Sequence, residues 1–375
     1  MIKRQINILY GIESFDGGAM KHVVYLASGL KSSEFNIHII TSDNVKNQQA
    51  NNALQLLRDN GISISLIKIK HRINILCDLK CILMIRKYIK RNNISIVHAH
   101  SSKAGALFRI SAYLCNIRSL YTPHCFYFVS LKGFKRRLYI LIERLLGRIT
   151  DTIVLSENEK HVAIVNKIVT KDKLVVINNV ISADQYKRYV REEVLNKYGI
   201  PDSKVIAGGV GRLAKQKHWE TYIMAASKVV KKYPKTIFII AGDGPERASL
   251  ESLIGELGLG NNIKLLGDIG ETSEVYSIID IFVSSSDWEG LPYTYLEAVH
   301  YGIPMIISDT DHLDTVIDRN KCAIYSRGNY MQLAGILIEY IRDRNFKSKR
   351  PGLLVDETMK SFIDKHKELY RSLIG

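Results

Sequence analysis

Two glutamates in the run DWEGLPYTYLEAVHYGIP (287–304) pose a chemical question. Glu289 and Glu297 stand eight apart, and Gly290, Leu291, Pro292 and Tyr293 follow the first. Carboxylates at such a spacing suit three tasks: a paired acid and base, a helix-surface pair, or ligands for a polar molecule. On unbroken helix, eight residues separate them by about 12 Å along the axis, on roughly one face. Pro292, however, is favoured in the first turn of a helix, because it lacks a backbone N–H and its φ is preset. Glu289 then falls in the loop before a helix and Glu297 in its second turn, and Gly302-Ile303-Pro304 ends that helix. Both carboxylates sit near a positively polarised helix N-terminus. This suits holding a polar ligand and fits poorly with two carboxylates acting on one bond.

Upstream, GGVGRLAKQKHWE (208–220) ends a strand in Gly208, Gly209 and Gly211 and continues at once into Arg212 and Lys217. Glycines admit a ligand to the backbone, and two cations beside a helix start suit a diphosphate. The run is not a Walker loop, since the Gly-Lys-Ser/Thr ending is missing, nor a dinucleotide fingerprint, whose third glycine and downstream acid are absent. A Gly-rich strand end with surface cations is an equally open reading. In AGDGPE (241–246), Asp243 between Gly242 and Gly244 reads first as a tight turn. In SFDGGAMKHVVYLASGL (14–30), Gly17 and Gly18 follow the first strand and open a helix. His98 and His100, two apart on a strand, share a face and resemble half a metal site. No third ligand of clear spacing accompanies them, so no metal and no cofactor is expected. His124, in a strand-end turn after Pro123, is the better candidate for a ligand-facing side chain.

These residues need a frame of strands and helices. INILY (6–10), IHIIT (37–41), ISLIKI (64–69), SIVHAH (95–100), TIVLS (152–156) and LVVIN (174–178) read as strands, with amphipathic helical stretches between them. The second half repeats the scheme with VIAGGVG (205–211), TIFIIAG (236–242), IKLLG (263–267), DIFVSS (280–285) and PMIIS (304–308). Ile/Val-rich strands alternating with helices predict parallel sheets covered on both faces, hence two doubly wound α/β domains across 375 residues. Ligands are then expected at the carboxyl ends of the strands, in a cleft between the domains.

Charge is distributed unevenly. Residues 1–180 carry 27 Lys and Arg against 11 Asp and Glu, and residues 181–375 carry 26 of each, so the whole net charge of +16 lies in the first half. A one-sided basic field favours an anionic surface. Its densest part, SLKGFKRRLYILIERLLGR (130–148), interleaves Lys132, Lys135, Arg136, Arg137, Arg144 and Arg148 with Phe134, Leu138, Tyr139, Leu141, Ile142, Leu145 and Leu146. At helical period this is a basic amphipathic helix of the kind that lies on membranes, or else a domain helix with an ordinary solvated face. No nucleic-acid motif accompanies the charge, so nucleic acid is not an expected partner. The five cysteines are scattered without metal spacing and read as reduced thiols, mostly buried. Neither a signal peptide nor a membrane span is read from the sequence.

Taken together and in this order, GRLAKQK, AGDGP, LLGDI and the Glu-x7-Glu run EGLPYTYLE resemble the retaining glycosyltransferases of family four, of the bacterial surface-polysaccharide type. GGAMKHVVYLASGL, VHAHSSKAG and YTPHCF resemble that family's weaker amino-terminal motifs. The resemblance implies a GT-B fold: two doubly wound, Rossmann-like parallel-sheet domains facing a cleft. Residues 1–185 would form an acceptor- and membrane-facing domain and 186–350 a nucleotide-sugar-binding domain, with 351–375 a helix packing back on the first. It implies a metal-independent transfer from a nucleotide diphosphate sugar, UDP-sugar by default, to a lipid-linked or polysaccharide acceptor at the cytoplasmic membrane face. An epimerase on the same fold, or a non-catalytic anion-binding protein, is the alternative.

By position, the resemblance implies that Arg212 and Lys217 hold the donor diphosphate and take up the leaving-group charge. Glu289 would bind donor-sugar hydroxyls and Glu297 the ribose. Amides from Gly290 through Leu291 and Pro292 to Tyr293 would line the sugar and phosphate pocket, beside Gly211 and Gly242. Gly267, Asp268 and Ile269 would meet the base. His124 would reach towards the transferred sugar, and Gly17 and Gly18 would face phosphate and acceptor. Phe126 and Tyr127, with the cations Lys132, Lys135, Arg136, Arg137 and Arg144, are the expected acceptor and membrane contacts. The chain departs from the family in four places. His218 and Trp219 follow Lys217, where a glycine or another small or polar residue is usual. Asp314 stands for a glutamate, Cys322 for a glycine, and Tyr293 and Tyr295 make the pocket loop more aromatic. Asp309-Thr310-Asp311 lies past the core motif and reads as a loop.

Overall fold

Ile- and Val-rich segments form strands here because both faces of each sheet are covered by helices, where β-branched side chains pack well. The computed structural model describes residues 5–32, 34–45, 47–203, 205–310, 318, 321–343 and 357–374. Asp311 and Asp314 lie outside the described residues. The chain divides into two units, one of Met1–Asn179 with Glu357–Gly375 and one of Val180–Asp356.

The first unit runs β1 (Ile6–Ile12), α1 (Gly17–Leu30), β2 (Phe35–Ser42), α2 (Gln48–Asp59), β3 (Ser63–Ile67), α3 (Ile75–Arg91), β4 (Ile96–His100), α4 (Ser102–Tyr113), β5 (Arg118–Thr122), α5 (Gly133–Gly147), β6 (Asp151–Val154), α6 (Glu157–Val165) and β7 (Leu174–Val176). Its sheet has the order β3-β2-β1-β4-β5-β6-β7, with every pair parallel. The second unit follows with α7 (Arg191–Tyr198), β8 (Ile206–Val210), α8 (Trp219–Lys232), β9 (Ile237–Ala241), α9 (Arg247–Glu256), β10 (Ile263–Gly267), α10 (Thr272–Ile278), β11 (Ile281–Ser284), α11 (Tyr293–Tyr301), β12 (Met305–Ser308), β13 (Ala323–Tyr325) and α12 (Tyr330–Arg342). Its sheet order is β10-β9-β8-β11-β12-β13, again parallel. Each sheet reverses its strand order once, between β1 and β4 and between β8 and β11, and that switch point is where doubly wound folds take ligands.

Two strands escape the hydrophobic pattern. β5 (RSLYT) has polar residues at both of its ends, and β13 is three residues long at a sheet edge. The first unit ends at Asn179, earlier than the expected boundary after residue 185, and the stretch that follows bonds within the second unit: Tyr186 Oη to Glu297 at 2.9 Å and Arg188 to the Tyr301 carbonyl at 3.3 Å. The last helix, α13 (Met359–Ile374), belongs to the first unit. It buries Phe362, Ile363, His366 and Tyr370, and Arg371 pairs bidentately with Glu34 at 2.6 and 2.7 Å.

Helix α5 is tied down on one face only. Arg109 of α4, fully buried, pairs with Glu143 at 2.8 Å and lies 3.8 Å over the Tyr121 ring. Ile140, Leu146 and Gly147 complete that inner face. The outer face carries Phe134, Leu138, Leu141 and Leu145, spaced one or two turns apart and 79, 40, 52 and 52% exposed. Helix α3 repeats the arrangement: Cys81, Ile85 and Ile89 point inward, and Ile75, Leu76, Leu79, Leu83 and Met84 are exposed.

Candidate functional site

At the β8/β11 switch point two loops meet. The β8 loop carries Gly211, Arg212 and Lys217, and the β11 loop carries Ser286 and Glu289. Lys217 Nζ lies 2.6 Å from Glu289 Oε1, with side-chain exposures of 16 and 8%. Ser286 Oγ donates to the same oxygen at 2.6 Å, and Gln216 Nε2 reaches the Trp288 carbonyl at 2.8 Å and Glu289 Oε2 at 3.5 Å. The backbone joins the loops as well, through Asp287 N–H to the Gln216 carbonyl at 2.8 Å and Ser285 Oγ to the Lys217 carbonyl at 2.7 Å. Arg212 is exposed and has no ion pair among the described residues. The sequence reading gave Lys217 and Glu289 separate tasks; the fold joins them as one pair.

Departures from the family pattern become physically clear. His218 adopts a left-handed backbone (φ 45°), a conformation that favours glycine, and its Nδ1 sits 2.9 Å from Asp287 Oδ1. Trp219 is core: a Cβ on Gly209 would come within 2.6 Å of its ring, and its Nε1 donates to the Arg212 carbonyl at 3.1 Å. Tyr293 and Tyr295 are 4 and 0% exposed, and Tyr295 Oη bonds Ser284 Oγ at 2.9 Å. Both rings are buried and Tyr295 braces β11, which corrects the expectation of an aromatic pocket loop. Cys322 is buried as well.

Helix α11 begins one residue after Pro292, its N-cap, and ends at left-handed Gly302 (φ 66°). Glu289 therefore lies in the preceding loop and Glu297 in the second turn, as the proline argument requires. Gly290 is partly exposed before the helix, whereas the Leu291 side chain is buried, leaving only backbone to offer. Glu297 is fully buried and accepts from Tyr186 Oη. That phenol occupies Oε1, the oxygen a ribose hydroxyl would compete for.

Gly242 serves packing. Its N–H donates to the Gly267 carbonyl at 2.8 Å, and a Cβ there would overlap the Gly211 carbonyl oxygen. The ends of β8, β9 and β10 thus touch backbone to backbone, and Asp243 Oδ1 caps the turn through Gly244 N–H at 2.7 Å. Gly267 (φ 76°) and exposed Asp268 lie at the end of β10, but the Ile269 side chain is buried. Gly242 is partly exposed, and Ile269 has only its backbone to offer a donor.

The first unit's switch point holds a different group. His98 and His100 at the end of β4 meet His22 of α1, His124 after β5 and His366 of α13. His100 Nδ1 and His124 Nε2 are 3.1 Å apart, and His98 lies 2.7 Å from Tyr370 Oη and 2.8 Å from Thr122 Oγ1. Burial lowers all five pKa values, to about 4 for His22, about 3 for His366 and well below the ordinary value for the others, so the cluster is neutral at neutral pH. His124 and Cys125 have left-handed backbones (φ 53° and 82°), held because buried Glu159 accepts from Cys125 N–H at 2.5 Å and Leu155 N–H at 2.7 Å. Sequence reading missed His22, His366 and Glu159; only their burial in amphipathic helices was legible. Gly17 and Gly18 are exposed at the start of α1.

The expected acceptor and membrane residues divide. Lys132, Lys135, Arg136, Arg137 and Arg144 are exposed, as is Tyr127. Phe126 is 1% exposed and stacks on Phe128 at 5.2 Å, so it is a core residue and not an acceptor contact. Among the described residues, no helix is long and apolar enough to cross a membrane.

Comparison with known proteins follows the two units. Residues 16–185 match the family described as Glycosyltransferase Family 4, and residues 190–352 match Glycosyl transferases group 1. The chain is 30% identical, over 71% of its length and 68% of the relative's, to the UDP-Gal:alpha-D-GlcNAc-diphosphoundecaprenol alpha-1,3-galactosyltransferase of Escherichia coli. It belongs to the family-four glycosyltransferases. A second relative of this glycosyltransferase is the capsular polysaccharide biosynthesis glycosyltransferase CapM of Staphylococcus aureus, 24% identical over 85% of this chain and 83% of that one. The fold is shared with Anabaena HepE, solved with UDP and glucose, at a TM-score of 0.78 and 17% identity over 98% of this chain and all of the other. The architecture is GT-B, and the glycosyltransferase is of the bacterial surface-polysaccharide type.

Proposed function

We propose that this glycosyltransferase moves a sugar, with retention of configuration and without a metal, from a nucleotide diphosphate sugar to a lipid-linked or growing polysaccharide acceptor at the cytoplasmic face of the membrane. The observation that carries the donor class is the 2.6 Å Lys217–Glu289 pair at the switch point. A sugar diphosphate has an anionic group bonded directly to a polyol ring. A cation and an anion side by side match those two ends, with Lys217 and Arg212 taking the diphosphate and Glu289 the ring hydroxyls. As the sugar–oxygen bond breaks, negative charge grows on the departing diphosphate, and fixed cations with the amides of the first turn of α11 stabilise it. Neither glutamate acts as general acid or base. His124 serves the transferred sugar, and Glu297 binds the ribose after Tyr186 releases it.

UDP is the favoured carrier, in keeping with the UDP-Gal named for the Escherichia coli relative. That relative's diphosphoundecaprenol substrate also supports a lipid-linked acceptor. The outward apolar stripes of α3 and α5, flanked by Lys135, Arg136, Arg137, Arg144, Lys80 and Lys87, support docking on an anionic bilayer. Burying one such Leu or Phe is worth about 1.5–3 kcal/mol. An epimerase needs no such face and is not favoured by the relatives.

Calorimetric and thermal-shift titration with UDP-, GDP- and ADP-sugars tests the donor assignment. A donor at 100 times its Kd should stabilise the protein by about 2.7 kcal/mol, and failure of every nucleotide sugar to bind would remove the reading. Flotation with anionic liposomes tests docking: the doubly substituted Leu141→Ser, Leu145→Ser protein should stay at the bottom of the gradient, and equal flotation of both proteins would refute it.

A further inference from the structure

The histidine cluster of the first unit has more imidazole nitrogen than its hydrogen bonds use. His22 donates Nδ1–H to Asn179 Oδ1 at 2.9 Å, because an amide oxygen only accepts. Its Nε2 therefore carries a bare lone pair, is buried and has no partner. His366 is in the same position: Nδ1–H donates to the Phe362 carbonyl at 2.8 Å, and Nε2 is buried without a partner. His100 and His124 share one proton across 3.1 Å, and His100 Nε2 is a third buried orphan. Each such group costs about 1–3 kcal/mol. They are gathered at one switch point, beside the left-handed turn at His124 and Cys125.

Geometry turns this excess into a site. One ligand nitrogen from each of His22, His100 and His124 lies within 4.8 Å of the other two. Metal–nitrogen bonds of about 2.0–2.1 Å in a tetrahedron hold their nitrogens about 3.4 Å apart. His100 Nδ1 and His124 Nε2, 3.1 Å apart, are already close to that span, and His22 completes the set of three. Asn179 supplies the outer contact that metal-ligating histidines usually have, fixing the His22 tautomer with Nε2 free.

We propose that His22, His100 and His124 form a binding site for a divalent transition-metal ion of the zinc class. Three imidazoles and no carboxylate suit zinc, cobalt, nickel or copper, whereas magnesium and calcium require oxygen ligands. Three protein ligands leave a fourth position for an exchangeable one. The ion is no part of transfer. If His124 serves the transferred sugar, as the proposed function has it, the ion takes that imidazole away and opposes catalysis.

The test begins with protein stripped by a chelator and then titrated with zinc sulfate, followed by calorimetry, melting temperature and elemental analysis. One ion per chain and a raised Tm are expected. His22→Gln and, separately, Asn179→Ala should each weaken zinc binding by at least about tenfold. Cys77→Ser, at the pair of thiols on α3 that faces the Lys68 carbonyl, should leave it unchanged. Absence of a stoichiometric ion in the wild type overturns the proposal, as does zinc binding of wild-type strength in both variants. If His22→Gln does not fold, Asn179→Ala carries the decision. Zinc should also inhibit transfer. If one ion binds per chain and transfer continues unchanged, the metal site stands and the assignment of His124 to the sugar falls.

Discussion

Replacing Lys217 with alanine separates the chemistry of the switch point from its stability. In the folded protein Lys217 Nζ sits 2.6 Å from Glu289 Oε1, and both side chains are largely shielded, at 16 and 8% exposure. Its removal leaves Glu289 with Ser286 as its remaining short hydrogen bond, at 2.6 Å. A hydrogen bond to a charged group contributes about 1.5–3 kcal/mol, so the loss in stability should lie in that range. For a unit of this size that lowers Tm by roughly 3–12 °C. The loss in transfer should be larger. Removing one fixed stabiliser of transition-state charge costs about 2.7–4 kcal/mol, or about a hundredfold to a thousandfold in kcat. The assay is donor-saturated kcat well below the variant's Tm, with melting followed in parallel. A cycle with Glu289→Gln should show non-additivity of about 0.5–3 kcal/mol, because the two side chains touch. A folded Lys217→Ala protein with kcat within threefold of wild type would refute the assignment of the diphosphate to Lys217.

Gly242→Ala should destabilise the second unit by at least about 2 kcal/mol, since the new Cβ overlaps the Gly211 carbonyl oxygen at φ 139°; chemical denaturation reads this, and an unchanged midpoint contradicts it. Glu143→Gln leaves Arg109 charged and buried, and should cost about 3–5 kcal/mol, seen as an early melting transition of the first unit. Glu159→Gln turns one acceptor oxygen into a donor facing a backbone N–H, Cys125 or Leu155. It should lose about 1–3 kcal/mol and lower kcat through the His124 turn more than it raises the donor KM; equal kcat in a folded variant would detach that turn from catalysis.

The second unit was the more legible from sequence. Strand-ending glycines, a proline that fixes where α11 starts, and cations next in sequence are local signals, and local signals survive folding. What the sequence hid is non-local. That Lys217 pairs with Glu289 depends on β8 lying beside β11, a neighbour relation written in no single stretch. That Gly242 lets backbones touch was equally hidden, because the Gly211 carbonyl it meets lies on another strand's end. Phe126 and Tyr295 were read as lining because aromatic residues near a motif suit either a pocket or a core, and only burial decides. The first unit was less legible for the same reason. His22, His100, His124 and His366 come from four separate elements, so no spacing links them. The basic helix was visible, but not that its apolar stripe faces outward, which follows from the buried Arg109–Glu143 pair on its other side.

The central claim is that this chain transfers a sugar from a nucleotide diphosphate donor to a lipid-linked acceptor. The most direct measurement is a panel of UDP-, GDP- and ADP-sugars incubated with the protein, chelator and a polyprenyl-diphosphate-sugar acceptor in anionic vesicles, scored for released nucleotide diphosphate and for the anomeric configuration of the product. One donor should release its nucleotide diphosphate and give a product whose new linkage keeps the donor's configuration. No release from any donor, or a product of inverted configuration, would contradict the account.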